Sequence, residues 1–129
     1  MVEGEGEQSF IKWLQQLSDQ HGLHIHLDCE VLNGGGYRSM LAKTKHARKR
    51  KERSKAKATV LLVDADRGKG DDGWSLKALI RNAMEENIIV CVQDPNQEGL
   101  LVKLFSGKEK LRLDRNNVQT HLLKLWPDY

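Results

Sequence analysis

Two aspartates one residue apart, Asp64 and Asp66, close the short apolar run at residues 59–63 (TVLLV), and this is where the sequence concentrates potential chemistry. In an extended backbone, residues two apart project to the same side, so both carboxylates can face one pocket where the strand runs out. Hard oxygen ligands this close repel one another unless a cation sits between them. The bland alternative is that both side chains cap the following loop, as aspartates often do. The residues alone leave both readings open. Asp94 closes a second apolar run, residues 88–92 (IIVCV), and falls at the same end of its strand.

A second concentration is electrostatic. Residues 43–57 hold nine Lys or Arg against the single acid Glu52, a charge of +8, so the remainder of a chain whose net charge is +3 sums to −5. Such a segment is either a solvated helix face or a surface that tracks phosphates, and its density favours nucleic acid, with Lys45, Arg48, Lys49 and Arg50 as the contacts. Arg67 and Lys69 flank the Asp-x-Asp on a glycine-containing loop, where they would steer a phosphate or balance charge. The triplet Gly34–Gly35–Gly36 reads as a plain turn rather than an anion nest and matches no Walker pattern. Five histidines and two cysteines show no metal-ligand spacing, and no serine sits in a Gly-x-Ser-x-Gly elbow. Trp13, Trp74 and Trp126 are scattered on predicted helices, so packing is their default role.

The elements that must position these groups follow from periodicity. Apolar Phe10, Ile11, Trp13, Leu14 and Leu17 recur at helical spacing over residues 7–21, and Gly22 supplies a stop. Residues 24–32 (HIHLDCEVL) alternate polar with apolar and predict a strand with Ile25, Leu27, Cys29 and Val31 on one face. A helix is predicted from 37 to about 53, with Met40, Leu41 and Ala47 as its thin apolar stripe. The runs 59–63 and 88–92 lack alternation, as parallel strands buried on both faces do. Further helices are predicted at 74–86, from 96 or 97 to about 105, and from 116 or 117 to 125. Alternating strand and helix demands crossovers and a mostly parallel sheet with helices on both faces, whose functional crevice lies beyond the carboxyl ends of the strands.

With these elements in order, the chain resembles the Toprim superfamily. That family's signature is a Glu in Val-Glu-Gly ending the first strand and Asp-x-Asp ending the third; here these are Val2-Glu3-Gly4 and Val63-Asp64-Ala65-Asp66. A closer likeness is to the small RloB-like branch, stand-alone Toprim nucleases associated with bacterial phage defence. It rests on Glu3-Gly4-Glu5-Gly6-Glu7 with Phe10, and on Pro95, Asn96 and Glu98 before a leucine-rich helix. The likeness spans about residues 1–105. It implies a Rossmann-like α/β Toprim fold with a four-stranded, mostly parallel sheet flanked by helices. It also implies Mg²⁺ (or Mn²⁺) held by Asp64 and Asp66, with Glu3 as a further ligand or general base, and an ATPase as a partner protein. Glu7 would add a carboxylate at the start of the first helix, where the helix dipole favours it whether or not it touches metal. Asn96 and Glu98 are further candidates. Departures are the two residues before Glu3, and Gln97 and Gly99 where the branch has aromatics.

The expected activity is therefore Mg²⁺-dependent cleavage of phosphodiester bonds in RNA or DNA. One alternative is a non-catalytic Toprim-like module that binds nucleic acid or a partner. Another is a haloacid-dehalogenase-type phosphatase, whose first motif is also Asp-x-Asp, with the first Asp as nucleophile. That motif should come from the first strand and carry Thr or Val at the position of Gly68, and neither expectation is met.

The 129 residues predict one domain, with a helical extension after about residue 105. Only 5% of residues are aromatic, so the core is expected to be mainly Leu, Ile and Val. No window approaches the roughly 18 consecutive apolar residues of a membrane span, and the acidic MVEGEGEQ is unlike a signal peptide, so a cytoplasmic protein is expected. Cys29 and Cys91, each inside a strand-like run, are expected to be buried free thiols.

Overall fold

The computed structural model describes residues 1–50, 55–65, 73–105 and 107–128. Along the chain lie α1 (Glu5–Gln20), α2 (Tyr37–Arg48), β1 (Thr59–Asp64), α3 (Leu76–Glu85), β2 (Ile88–Gln93), α4 (Gln97–Lys103) and α5 (Val118–Leu125). The continuous apolar runs form the two strands, each extended by one polar residue, and the helices fall where their periodicity puts them. Gly22, at φ 67, ends α1 in the left-handed region that glycine enters at little cost.

β1 and β2 pair in parallel, with Leu61 level with Val90, Val63 with Val92 and Asp64 with Gln93. Parallel neighbours in register share a face, so the sheet has two distinct sides. Leu61, Val63 and Ile88 join Leu32, Tyr37, Met40, Leu41, Leu79 and Ala83 in the main core, which places α2 and α3 on that side. The strands were expected to be buried on both faces, and the opposite side corrects this: Val60 is 38% and Ile89 54% exposed. Cys91 belongs to that open side, so it is a free but exposed thiol, and Cys29 is only partly buried. The core is built largely of aliphatic residues, with Met40 and Tyr37 among its largest buried members.

The fold is mixed α/β, and of the expected four-stranded sheet the described residues form two paired parallel strands. Beyond β1 the ladder continues only through single pairings. The Met1 ammonium donates to Val60 O at 2.8 Å and Leu62 N to Met1 O at 3.0 Å. On the far side, Val2 makes a parallel bridge with Val31. The stretch 24–32 is thus no strand apart from that bridge, and residues 23–28 are exposed. Its alternating pattern had no long partner to pair with, because α1 starts at Glu5. Instead the Gln15 carboxamide donates to Ile25 O at 2.9 Å and accepts from Leu27 N at 2.6 Å.

No helix among the described residues is long and apolar enough to cross a membrane. α4 packs beside β2 and against α5, where Val102, Val118 and Leu122 are buried. Gly99 makes the entry to α4 possible: a Cβ there would lie 2.5 Å from Pro95 Cδ and 2.6 Å from Asp94 O. Backbone cannot yield as a flexible side chain can, so Gly99→Ala is expected to lower stability by about 1–3 kcal/mol, read as a lower urea midpoint.

Candidate functional site

The carboxyl ends of β1 and β2 lie level at one edge of the sheet. Met1 is level with Leu61 through its two backbone bonds, which brings Glu3 level with Val63, one residue before Asp64. The ladder to the 30–34 segment then slips by one: Leu32 N donates to Val2 O at 2.8 Å, but Gly34 N donates to Glu3 O at 3.1 Å. Left-handed conformations at Asn33 (φ 58), Gly34 (φ 74) and Gly35 (φ 99) allow the slip. Here the glycine triplet works as a turn that docks the end of the first segment.

Asp64 is held from the core side, its carbonyl accepting the Tyr37 hydroxyl at 2.7 Å. Glu3 Oε2 and Asp64 Oδ1 are both screened from solvent. Asp66, Arg67 and Lys69 lie outside the described residues, so the second carboxylate of the Asp-x-Asp and its flanking cations have no placement. Among the described residues no group of three His, Cys, Asp or Glu is close enough to hold a metal.

The accessory candidates have structural employment. Gly4 N donates to Glu7 Oε2 at 3.1 Å, so one oxygen of Glu7 caps α1. Asn96 Oδ1 accepts from Gly99 N at 3.1 Å and caps α4 in the same way, with Glu98 in that helix's first turn. Gln97 Nε2 donates to Gly6 O at 3.1 Å, which ties the starts of α1 and α4 together at the edge. Asp94 is exposed and pairs with Lys103 Nζ at 3.5 Å.

Gln93, which belongs to none of the sequence motifs, lies in this edge as the register partner of Asp64. It is 1% exposed, and neither Oε1 nor Nε2 makes a hydrogen bond among the described residues. The signal available in the sequence was a polar residue ending an otherwise apolar strand.

The basic segment is partly tied into the body. Lys43 Nζ donates to Leu32 O at 2.9 Å, and Arg50 pairs with Glu30 at 3.0 Å. Lys45 and Arg48 each reach a carboxylate oxygen of Glu86 at 3.1 Å, and Arg48 also donates to Glu86 O. Of the four nucleic-acid contacts expected on this segment, Lys45, Arg48 and Arg50 therefore have acidic partners within the fold, while Lys49, Lys55 and Lys57 are exposed; the other two expected contacts, Arg67 and Lys69, lie outside the described residues.

No family model matches this chain, nor does any curated protein or solved structure.

The hydrogen bond from Lys45, its positive charge and those of Arg48 and Lys49 hold the Glu86 carboxyl below its ordinary value. A carboxylate with a depressed folded pKa stabilises the fold while ionised, and that contribution is lost as pH falls through the folded value. Glu86→Gln is expected to lower the thermal midpoint slightly at neutral pH, because solvent screens the pair. The gap to the unmodified chain should close as pH drops below the usual carboxylate range. A gap that persists in acid would mean that shape, not charge, sets the effect.

Proposed function

We propose that this chain is a Toprim-like, Mg²⁺-dependent nuclease of the RloB-like kind, acting on RNA or DNA through Glu3, Asp64 and Asp66. The observation that carries the reading is the placement of Glu3 and Asp64, from the Val-Glu-Gly and Asp-x-Asp motifs, near the carboxyl ends of neighbouring parallel-paired segments. Carboxylate oxygens are hard donors of the kind that suit Mg²⁺ or Mn²⁺. The buried Gln93 amide, carried by the register partner of Asp64, would add a neutral oxygen of the kind such an ion accepts.

When bound, the divalent ion supplies charge neutralisation for phosphoryl transfer and makes water easier to deprotonate. The protein's own part is positional. Asp64 is fixed by the ladder and by Tyr37, Glu3 by the slip at Gly34, and the α1 and α4 caps keep both helix starts from drifting away from the edge. A carboxylate near such an ion stays deprotonated at neutral pH, which suits Glu3 to accept a proton from attacking water. Exposed Lys49, Lys55 and Lys57 would contribute the salt-dependent attraction to phosphates. A cytoplasmic place, a role in phage defence and an ATPase partner follow from the family likeness.

Cleavage of single- and double-stranded RNA and DNA, assayed with Mg²⁺ or Mn²⁺, is expected to fall to background in EDTA and in Asp64→Ala. Nucleic-acid binding with a steep salt slope, unaffected by EDTA and unaccompanied by cleavage in either metal, would instead assign the non-catalytic binding module.

A further inference from the structure

An amide buried without hydrogen bonds is costly, commonly about 1–3 kcal/mol for each unsatisfied polar group, and folded chains keep few of them. Gln93 has two such atoms, at 1% exposure, among the described residues. Three placements bear on why. Gln93 is the register partner of Asp64, so the two side chains leave the sheet on the same face. It is the last residue of β2, at the edge where Glu3 Oε2 and Asp64 Oδ1 are screened from water. The turn after it is fixed by the Lys103 bond to Asp94 O at 3.0 Å and by the close approach of Gly99. The backbone carrying Gln93 is thus set on both sides.

We propose that Gln93 is a ligand residue of the divalent-cation site, giving Oε1 as a neutral oxygen beside the Asp64 carboxylate. This rests on the metal-dependent reading above and adds to it a residue that the sequence motifs do not contain. The chemistry favours an amide at this position. Asp64 already brings a carboxylate to this register position, and a second one beside it would add repulsion in the metal-free protein, whereas an amide oxygen adds a hard donor without charge. Nε2, on the same planar group, is left to donate to an anionic oxygen of a substrate phosphate.

The test uses the full chain and Mn²⁺ as the probe, with affinity read by calorimetry and the thermal midpoint measured with and without the ion. Gln93→Leu keeps bulk but removes both polar atoms. It is expected to weaken Mn²⁺ binding about tenfold or more while leaving the metal-free midpoint equal or higher, because an unsatisfied group has gone. Gln93→Glu restores the oxygen with a charge. It should lower the metal-free midpoint, bind Mn²⁺ at least as tightly as the unmodified chain and show a larger midpoint rise on adding it. Asp64→Asn serves as the control that removes the site. If Asp64→Asn loses Mn²⁺ while Gln93→Leu binds with unchanged affinity, or if Gln93→Leu is unfolded and Gln93→Glu binds more weakly than the unmodified chain, the ligand role is wrong and the metal reading stands. Should the unmodified chain itself fail to bind Mn²⁺, both fall together.

Discussion

The parallel ladder between Thr59–Asp64 and Ile88–Gln93 is the constraint from which the rest of the molecule is arranged. Because side chains alternate strictly along a strand, a one-residue slip in this register would part Asp64 from Gln93 and mismatch the faces packed under α2 and α3. Leu61, Val63 and Ile88 prevent that slip, since they fill the main core and cannot exchange faces with Asp64 without burying its charge. Packing thereby fixes the position of a polar edge. The Tyr37 hydroxyl makes the coupling concrete: a ring buried in the core binds the backbone of the residue that begins the edge.

The basic helix has two roles that its charge density alone would not separate. Lys45, Arg48 and Arg50 fasten α2 and the segment after it to Glu86 and Glu30, joining the end of α3 and the stretch before the glycine turn. Lys49, Lys55 and Lys57 are exposed and keep their charge on the surface. A count of cations therefore overstates what phosphates would meet.

The parts legible in the sequence were those set by local rules. The charge-free runs at 59–63 and 88–92 became strands, and the amphipathic stretches became helices ending near their stop signals. The failures were non-local. Residues 24–32 carry a sound strand pattern, yet a strand needs a partner of comparable length, and between Met1 and the start of α1 there is little to pair with. Apolar runs suggested strands covered on both sides, but runs report residue type and not whether a helix arrives to cover them; Val60, Ile89 and Cys91 face outward. Gln93 looked like an ordinary polar strand end because its burial depends on the turn into α4, some residues further on. Glu7 and Asn96 drew notice as possible ligands, and their spacing to a helix start already pointed to the capping bonds they make.

The Gln15 carboxamide has an effect on self-association. By binding the carbonyl of Ile25 and the amide of Leu27, it occupies with one side chain two backbone groups of an exposed segment that an incoming chain could otherwise pair with. The opposite margin, along β2, has no such plug among the described residues and is lined by uncharged side chains from Ile88 to Gln93. Among the described residues, the margin of the sheet that offers a template for edge-to-edge pairing of copies is therefore the one along β2.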